Sequence, residues 1–188
     1  MTAAELNEKL RSGDKKALQW LFEQYYTQLV QYALKITSDP EASEEIVQDV
    51  FVAIWNNRKK SEINSYYHYL SRAVRNRCIS YVQAAMKETE PLEEVMYAME
   101  GGAESSDMEV EELAAALKEA EGILPHQTRL VFSLSRHTEM TYNEISQELS
   151  ISVKTVEYHI SKAFKIMRSF LATRGFELML VLLITLLK

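Results

Sequence analysis

The chain has 188 residues, of which 47% are hydrophobic, and its formal net charge is −6 at pH 7. This length suits one or two small domains that each bury a core, and the acidic charge argues against a general nucleic-acid binder. The single cysteine, Cys78, excludes an internal disulfide and has no metal-site spacing, so we expect no metal or other cofactor. The polar start, MTAAELNEKL, is not a secretory signal, which predicts a reducing, cytoplasmic setting.

The residues before position 88 predict a bundle of helices. TAAE at positions 2–5 is a capping box, in which each side chain bonds the other residue's free backbone N–H. Long helices are expected at residues 14–36, 40–57 and 65–87, and Asp39 and Pro40 open the second of them as N-cap and first helical residue. No alternating strand pattern of useful length appears.

The helix that follows Pro40 has two contrasting faces. Its buried stripe is expected to be Ile46, Val47, Val50, Phe51 and Ile54. The opposite side presents Glu45, Gln48, Asp49 and Val52, with Trp55 beside them. An exposed valine next to a large aromatic residue and rimmed by acids suits a protein interface, and an ordinary solvated face is the alternative.

Aromatic and basic side chains are interleaved along the next helix. The aromatic members are Tyr66, Tyr67, His68 and Tyr69, and the polar members are Arg72, Arg75, Asn76 and Arg77. Bases stack on aromatic rings for about 1–3 kcal/mol each while Arg and Lys follow the phosphates, so this combination suits single-stranded DNA. The alternative is that several tyrosines are core and the arginines solvated, and we expect at least one of Tyr66, Tyr67 and Tyr69 to be buried.

The negative charge is concentrated in the middle of the chain. Residues 87–112 contain ten acidic residues and one basic residue, a net charge of −9, which leaves +3 for the remainder. The segment also contains Pro91 and the pair Gly101-Gly102, with few apolar residues. This composition predicts a flexible acidic linker over residues 88–112 between two flanks with local basic patches.

The second flank predicts a helix-turn-helix. Gly122 and Pro125 end one helix, and the next starts at HQTRLVFSLS. Thr141 and Glu144 form a second capping box that opens a short helix to residue 149, and Ser152 can cap the longer helix after it. A short helix, a tight turn and a longer helix with a polar face describe this motif, although helical hairpins are common.

The longer helix separates an apolar stripe from a polar one. Val153, Val156, Ile160 and Phe164 are expected to hold it on its domain. The opposite stripe suits DNA because it lacks carboxylates, and it contains Lys154, Thr155, Tyr158, Ser161, Lys162 and Lys165. Glu157 lies near the edge of the buried stripe, where it can accept from a cytosine amine or bond Ser161, and His159 on the other flank can touch phosphate. A solvated face is again the alternative.

Together the two flanks resemble the extracytoplasmic-function (group IV) sigma factors of bacterial RNA polymerase. The resemblance spans about residues 10–171 and rests on GDKKALQWLFEQYYTQLVQYALKITSDPEASEEIVQDVFVAIWNN, SYYHYLSRAVRNRCISYV, LPHQTRLVFSL, TYNEISQELSISVKTVEYHISKAF and MR. It implies an all-α fold of two small helical domains, sigma region 2 at residues 1–87 and the region 4 helix-turn-helix at 113–174, joined by the acidic linker. The chain departs from the family at Gln83, Ala84 and Ala85, where a basic cluster is usual, and at Ser150, where Gly is frequent.

The resemblance also implies a function and its residues. Region 2 would recognise and melt the −10 element and region 4 would read the −35 element, so that core RNA polymerase starts transcription at specific promoters. The implied partners are promoter DNA, an anti-sigma factor and the polymerase, through its largest-subunit clamp helices and its flap region. Polymerase binding is assigned to Glu45, Gln48, Asp49, Val52 and Trp55. The −10 element is assigned to Tyr66, Tyr67, Arg72, Arg75, Asn76 and Arg77. The −35 element is assigned to Lys154, Thr155, Glu157, Tyr158, Ser161 and Lys162.

The last residues, FELMLVLLITLLK, are almost wholly apolar. The run is shorter than the roughly 20 residues that span a bilayer, so no stable membrane insertion is expected. We expect a tail helix at residues 175–188 that folds back onto the protein or docks on a partner. The sharper alternative is autoinhibition, in which the tail holds regions 2 and 4 together until a signal releases them.

Two other classes of function compete with the sigma factor. An operator-binding helix-turn-helix regulator would act without being a polymerase subunit, and tight independent binding to duplex DNA would favour it. A hydrolase built on Cys78 and His68 has no oriented triad, Gly-rich phosphate loop or metal spacing behind it, so we expect the chain not to be an enzyme.

Overall fold

The protein is described by a computed structural model that covers residues 1–60, 62–88, 110–138 and 140–174. The chain divides into two compact units, residues 1–88 and residues 89–188. In the part that the structure describes, all regular secondary structure is α-helical, which confirms the predicted fold class. The predicted tail helix and most of the predicted acidic linker lie outside the described residues. Among the described helices, none is both long and apolar enough to cross a lipid bilayer.

The first unit is built around its second helix. Its helices are α1 (Ala3–Arg11), α2 (Lys15–Thr37), α3 (Pro40–Asn57) and α4 (Tyr66–Glu88). α2 packs against each of the other three, and α3 also packs against α4. The centre of the unit is aliphatic, with Leu21, Val47, Leu70 and Val74 fully buried, so hydrophobic burial provides most of the favourable free energy that holds these helices together.

The helices of the first unit begin where the sequence places their caps. The capping box is present, with Thr2 Oγ1 accepting from the Glu5 N–H and the Glu5 carboxylate accepting from the Thr2 N–H at 2.9 Å. Asp14 and Asp39 cap α2 and α3 through their carboxylates. Asp39 also accepts a 2.7 Å hydrogen bond from the Tyr81 hydroxyl, which lowers the pKa of this carboxyl and ties the start of α3 to α4.

In its described residues, the second unit is organised around its longest helix. Its helices are α5 (Val110–Gly122), α6 (His126–His137), α7 (Tyr142–Glu148) and α8 (Val153–Ala172). α8 packs against α5, α6 and α7, and α6 also packs against α7. α5 begins at Val110, slightly earlier than the predicted start near Leu113, so the end of the segment predicted as linker is already helical.

The turn between α7 and α8 gives the helix-turn-helix its geometry. The predicted capping box of Thr141 and Glu144 opens α7, and the Ser152 hydroxyl caps α8 by accepting from the Thr155 N–H at 3.1 Å. Ser150 in the turn has a φ of 55°, which is the left-handed region that glycine occupies without a steric penalty. A side chain at this φ costs about 1–2 kcal/mol, so the turn tolerates serine where glycine would be relaxed.

Candidate protein-binding and DNA-binding surfaces

One face of α3 leaves an apolar side chain in solvent. Val52 is 56% exposed. The predicted stripe on the other side is buried, namely Ile46, Val47, Val50, Phe51 and Ile54. The other predicted members of the face, Glu45, Gln48 and Asp49, are exposed, and Trp55 is half-buried. The face therefore has an apolar centre with an acidic rim, as the sequence predicts.

This face borders a groove between α2 and α3. The groove has a volume of about 760 Å³, and its apolar walls include Leu18, Phe22, Phe51, Val52 and Trp55. The Phe22 ring lies 5.1 Å from that of Phe51, between centroids. The α2 wall was not predicted, although Leu18 and Phe22 have the i, i+4 spacing that places two side chains on one helix face. A groove of this kind can receive apolar side chains from a partner.

Arg58 fixes the indole at the edge of the groove. Its guanidinium carbon lies 4.2 Å from the Trp55 ring centroid, and its Nη1 donates a 2.6 Å hydrogen bond to the Trp55 carbonyl. The cation–π contact contributes about 0.5–1 kcal/mol at a site of this exposure. The contact with Arg58 favours the observed orientation of the Trp55 ring.

An exposed strip along α4 combines an aromatic ring, a cation and an amide. We call Tyr69, Arg72 and Asn76 the α4 strip, because their i, i+3 and i+7 spacing places them on one helix face. Arg72 and Asn76 were predicted, and Tyr69, which is 43% exposed, was not assigned to the −10 element. Its spacing from the other two is the signal that identifies it.

Tyr66 does not belong to this surface. It is only 6% exposed, and its hydroxyl donates a 2.8 Å hydrogen bond to Asn7 Oδ1 on α1. Burial of at least one of the three tyrosines was predicted and is confirmed, but the assignment of Tyr66 to DNA is wrong because this residue is buried. Tyr67 is exposed and lies against Tyr25 of α2, with their ring centroids 6.2 Å apart.

The two remaining arginines of the predicted −10 set have partners within the first unit. Arg75 is half-buried beside Tyr32, whose pKa burial raises to about 12 although Arg75 acts to lower it. Arg77 forms a 2.8 Å ion pair with Asp49, so two residues predicted for different partners contact each other. Exposed pairs of this kind contribute about 0–1 kcal/mol, so either residue can be released to another partner at little cost.

The polar face of α8 is presented to solvent. Lys154, Glu157, Tyr158, Ser161 and Lys165 are exposed, and Tyr158 is 56% exposed. The half-buried members of the predicted set are Thr155, whose hydroxyl lies 2.8 Å from the Ser152 hydroxyl in the helix cap, and Lys162. The Lys162 ammonium lies 5.8 Å from the centroid of the Tyr158 ring. The face thus offers cations, a hydroxyl and an aromatic ring on a helix anchored by Val156 and Ile160, which are buried.

His159 is buried, which contradicts the prediction that it can touch phosphate. It is 8% exposed, and its Nδ1 is hydrogen-bonded to Thr128 Oγ1 of α6 at 3.1 Å. The ring therefore faces the interior rather than a phosphate. Burial, followed by the charge of Lys162, lowers the pKa of His159.

This lowered pKa predicts a pH-dependent stability. The unfolded chain binds a proton at His159 more readily than the folded chain, so the free energy of unfolding falls as pH drops below the ordinary histidine pKa of 6.5. We expect the melting temperature to decrease from about pH 7.5 to about pH 5.5, and the decrease to be smaller in His159→Asn, which keeps a polar atom near Thr128 but does not titrate. Equal decreases in the two proteins, measured by circular dichroism, would contradict the assignment.

Cys78 has none of the properties of a nucleophile. It is fully buried in α4, and burial raises the pKa of its thiol to about 12. The reactive form of cysteine is the thiolate, so this side chain is inert at neutral pH. The burial of Cys78 therefore argues against the hydrolase alternative, which was built on this thiol.

Comparisons with known protein families match two segments of the chain, one in each unit. The family model of sigma-70 region 2 matches residues 21–88, and that of sigma-70 region 4 matches residues 108–167, together about two thirds of the chain. No curated protein matches the chain at a significant level.

Two solved structures are similar to the chain at low sequence identity. One is CnrH in complex with the cytosolic domain of CnrY, with 23% identity over 89% of this chain and 95% of that chain and a TM-score of 0.46. The other is the sigma factor RpoE in complex with the anti-sigma factor NepR from Bartonella quintana, with 18% identity over 84% of this chain and 96% of that chain and a TM-score of 0.48.

Proposed function

Because the chain belongs to the sigma-70 family of transcription initiation factors, we propose that it is a member of the extracytoplasmic-function group that acts in the cytoplasm and directs core RNA polymerase to specific promoters. The observation that carries this proposal is the presence of a region 2 match and a region 4 match, in that order, on one chain. A regulator that binds an operator alone needs only the second of these. Anti-sigma factor binding is part of the same proposal, as the resemblance implies.

The α3 face is the proposed contact with the polymerase clamp helices. Val52 and Trp55, together with the groove beside them, supply an apolar centre, and Glu45, Gln48 and Asp49 supply an acidic rim. Protein interfaces combine a desolvated apolar core with a polar rim, and their strongest contacts come from side chains held in place beforehand. The Trp55 ring, held by Arg58, supports this role.

The α4 strip and its neighbours are the proposed contact with the melted −10 element. Tyr69 and Tyr67 offer exposed rings for stacking, which contributes about 1–3 kcal/mol per base. Arg72 can follow the phosphates, and the amide of Asn76 can pair with the edge of an unstacked base. Arg77 can join them once it leaves Asp49. The buried Tyr66 takes no part in this proposal.

The exposed face of α8 is the proposed reader of the −35 element. The recognition helix of a helix-turn-helix places its first residues against base edges in the major groove, which assigns Lys154 and Tyr158 to the bases. Ser161, Lys162 and Lys165 follow about one to two turns after Tyr158 along the groove, and a good bidentate base contact contributes about 1–3 kcal/mol of discrimination. Glu157, exposed at the edge, can accept from a cytosine amine.

A gel-shift experiment separates this function from an operator-binding regulator. The probe is duplex DNA from upstream of the chain's own gene, mixed with the chain, with core polymerase, or with both. We expect a heparin-resistant complex only with both, since a sigma factor depends on the polymerase to engage its promoter. Tight, sequence-specific binding by the chain alone, unchanged by core polymerase, would contradict the proposal and favour the regulator.

A further inference from the structure

The described part of the loop between α3 and α4, residues 58–60 and 62–65, is bonded to α1 by one side chain. Asn7 Nδ2 donates a 3.0 Å hydrogen bond to the Ile63 carbonyl, and the Ile63 N–H donates a 3.3 Å hydrogen bond to Asn7 Oδ1. The same Oδ1 accepts the 2.8 Å hydrogen bond from the Tyr66 hydroxyl. A single amide therefore joins the end of the loop and the first residue of α4 to a helix more than fifty positions earlier in the chain.

These hydrogen bonds are partly buried between α1 and the end of the loop. Ile63 and Tyr66 are both buried, and Asn7 is half-buried between them. The amide satisfies both backbone groups of Ile63, as a neighbouring strand would. Removing it leaves buried polar groups without partners, and this favours movement of the loop away from α1.

The other end of the loop is held as well. Arg58 contacts the Trp55 ring and carbonyl, and the Lys60 N–H donates a 2.9 Å hydrogen bond to the Asn57 carbonyl. Lys59 and Lys60, near this first anchor, are exposed. The loop thus presents two cations just after the end of α3, and Asn7 determines where its second end lies.

We propose that Asn7 is a positioning residue for recognition of the −10 element. By holding Ile63 and Tyr66 against α1, it sets the position of the end of the loop relative to the α4 strip, so that an unstacked base meets a preformed surface. Asn7 lies before the residues that the region 2 model matches, 21–88, and it does not line the groove between α2 and α3. The inference rests on the proposed function, and it assigns to α1 a role separate from polymerase binding.

Three variants of the full-length chain test the proposal. Asn7→Leu keeps the approximate size of the side chain and removes all three hydrogen bonds. Asn7→Asp keeps the two acceptor bonds and removes the donor to the Ile63 carbonyl. Glu8→Leu, at the next and exposed position of α1, is the matched control for an added leucine.

The readout is the ratio of transcript from the intact promoter to transcript from each altered promoter. With core polymerase, each variant transcribes from an intact promoter, from single-base variants of its −10 element and from a variant of its −35 element. We expect Asn7→Leu to reduce discrimination among −10 sequences by about tenfold, with Asn7→Asp in between, because a mobile loop recognises the unstacked base less well. Glu8→Leu, discrimination at the −35 element and affinity for core polymerase are expected to stay at wild-type values.

The ratio of transcripts distinguishes a role of Asn7 in positioning the loop from a role in the stability of the fold. Loss of folded protein lowers transcription from every promoter by the same factor and leaves the ratio unchanged. An unchanged −10 ratio in Asn7→Leu would overturn the proposal, and if Asn7→Leu does not fold, an unchanged ratio in Asn7→Asp would do so. If the wild-type chain gives no core-dependent transcript, the proposed function itself fails, which is a different result from an unchanged ratio.

Discussion

Replacing Val52 with glutamate is expected to abolish binding of core RNA polymerase and, with it, promoter-dependent transcription. Val52 is largely exposed at the edge of the apolar groove, so a glutamate there is solvated in the free chain and leaves folding intact. In the complex the same carboxylate would be buried without a partner, which costs about 3 kcal/mol or more. The dissociation constant for core polymerase should therefore rise at least about 100-fold.

The measurement is a titration of labelled chain with core polymerase, read by fluorescence anisotropy. Gln31→Glu is the matched control, because it adds the same charge at an exposed position on the side of α2 away from Phe22. Circular dichroism melting should give the same transition for both variants as for wild type. A Val52→Glu variant that binds core polymerase as tightly as wild type would remove the α3 face from the proposed function.

The double substitution of Lys154 and Tyr158 by alanine is expected to make transcription independent of the −35 element. Both side chains are exposed in the first two turns of α8, where recognition helices contact base edges. Losing one or two base contacts of about 1–3 kcal/mol should lower transcription from an intact promoter about 10- to 100-fold. The variant should then transcribe an intact promoter no better than wild type transcribes one with a scrambled −35 sequence.

Run-off transcription from the two promoters checks this directly. Lys118→Ala, an exposed lysine of α5, is the control for the loss of one positive charge from the second unit. Binding of core polymerase should be unchanged, because the α3 face lies in the other unit. A double variant that still prefers the intact −35 element by the wild-type factor would show that α8 reads DNA through other residues.

The caps and stripes were predictable because they depend on residues close together in sequence. Thr2, Asp39, Thr141 and Ser152 each bond the backbone N–H three residues later, and the buried stripe of α3 follows from helical periodicity alone. Once a helix is assigned, these features need no knowledge of the rest of the fold. Helical periodicity also predicted the two exposed faces, at Val52 and at Tyr158.

The errors concern side chains whose partners are distant in sequence. Tyr66 lies one and two turns before the buried Leu70 and Val74, so periodicity distinguishes it from Tyr67, but its hydrogen-bond partner Asn7 is on a distant helix. His159 is hydrogen-bonded to Thr128 of α6, and Arg77 of α4 forms an ion pair with Asp49 of α3. Periodicity assigns a residue to a helix face, but it does not say which helix covers that face, so the α2 wall of the groove was missed for the same reason.

Run-off transcription with purified core polymerase tests the central claim most directly. The templates are promoters from upstream of the chain's own gene, and the 5′ end of each transcript is mapped. The account predicts transcripts from a fixed start site that need both core polymerase and the chain and that are lost with Val52→Glu. No transcript from full-length chain or from chain lacking the apolar tail, together with tight duplex binding by the chain alone, would contradict it and identify an operator-binding regulator.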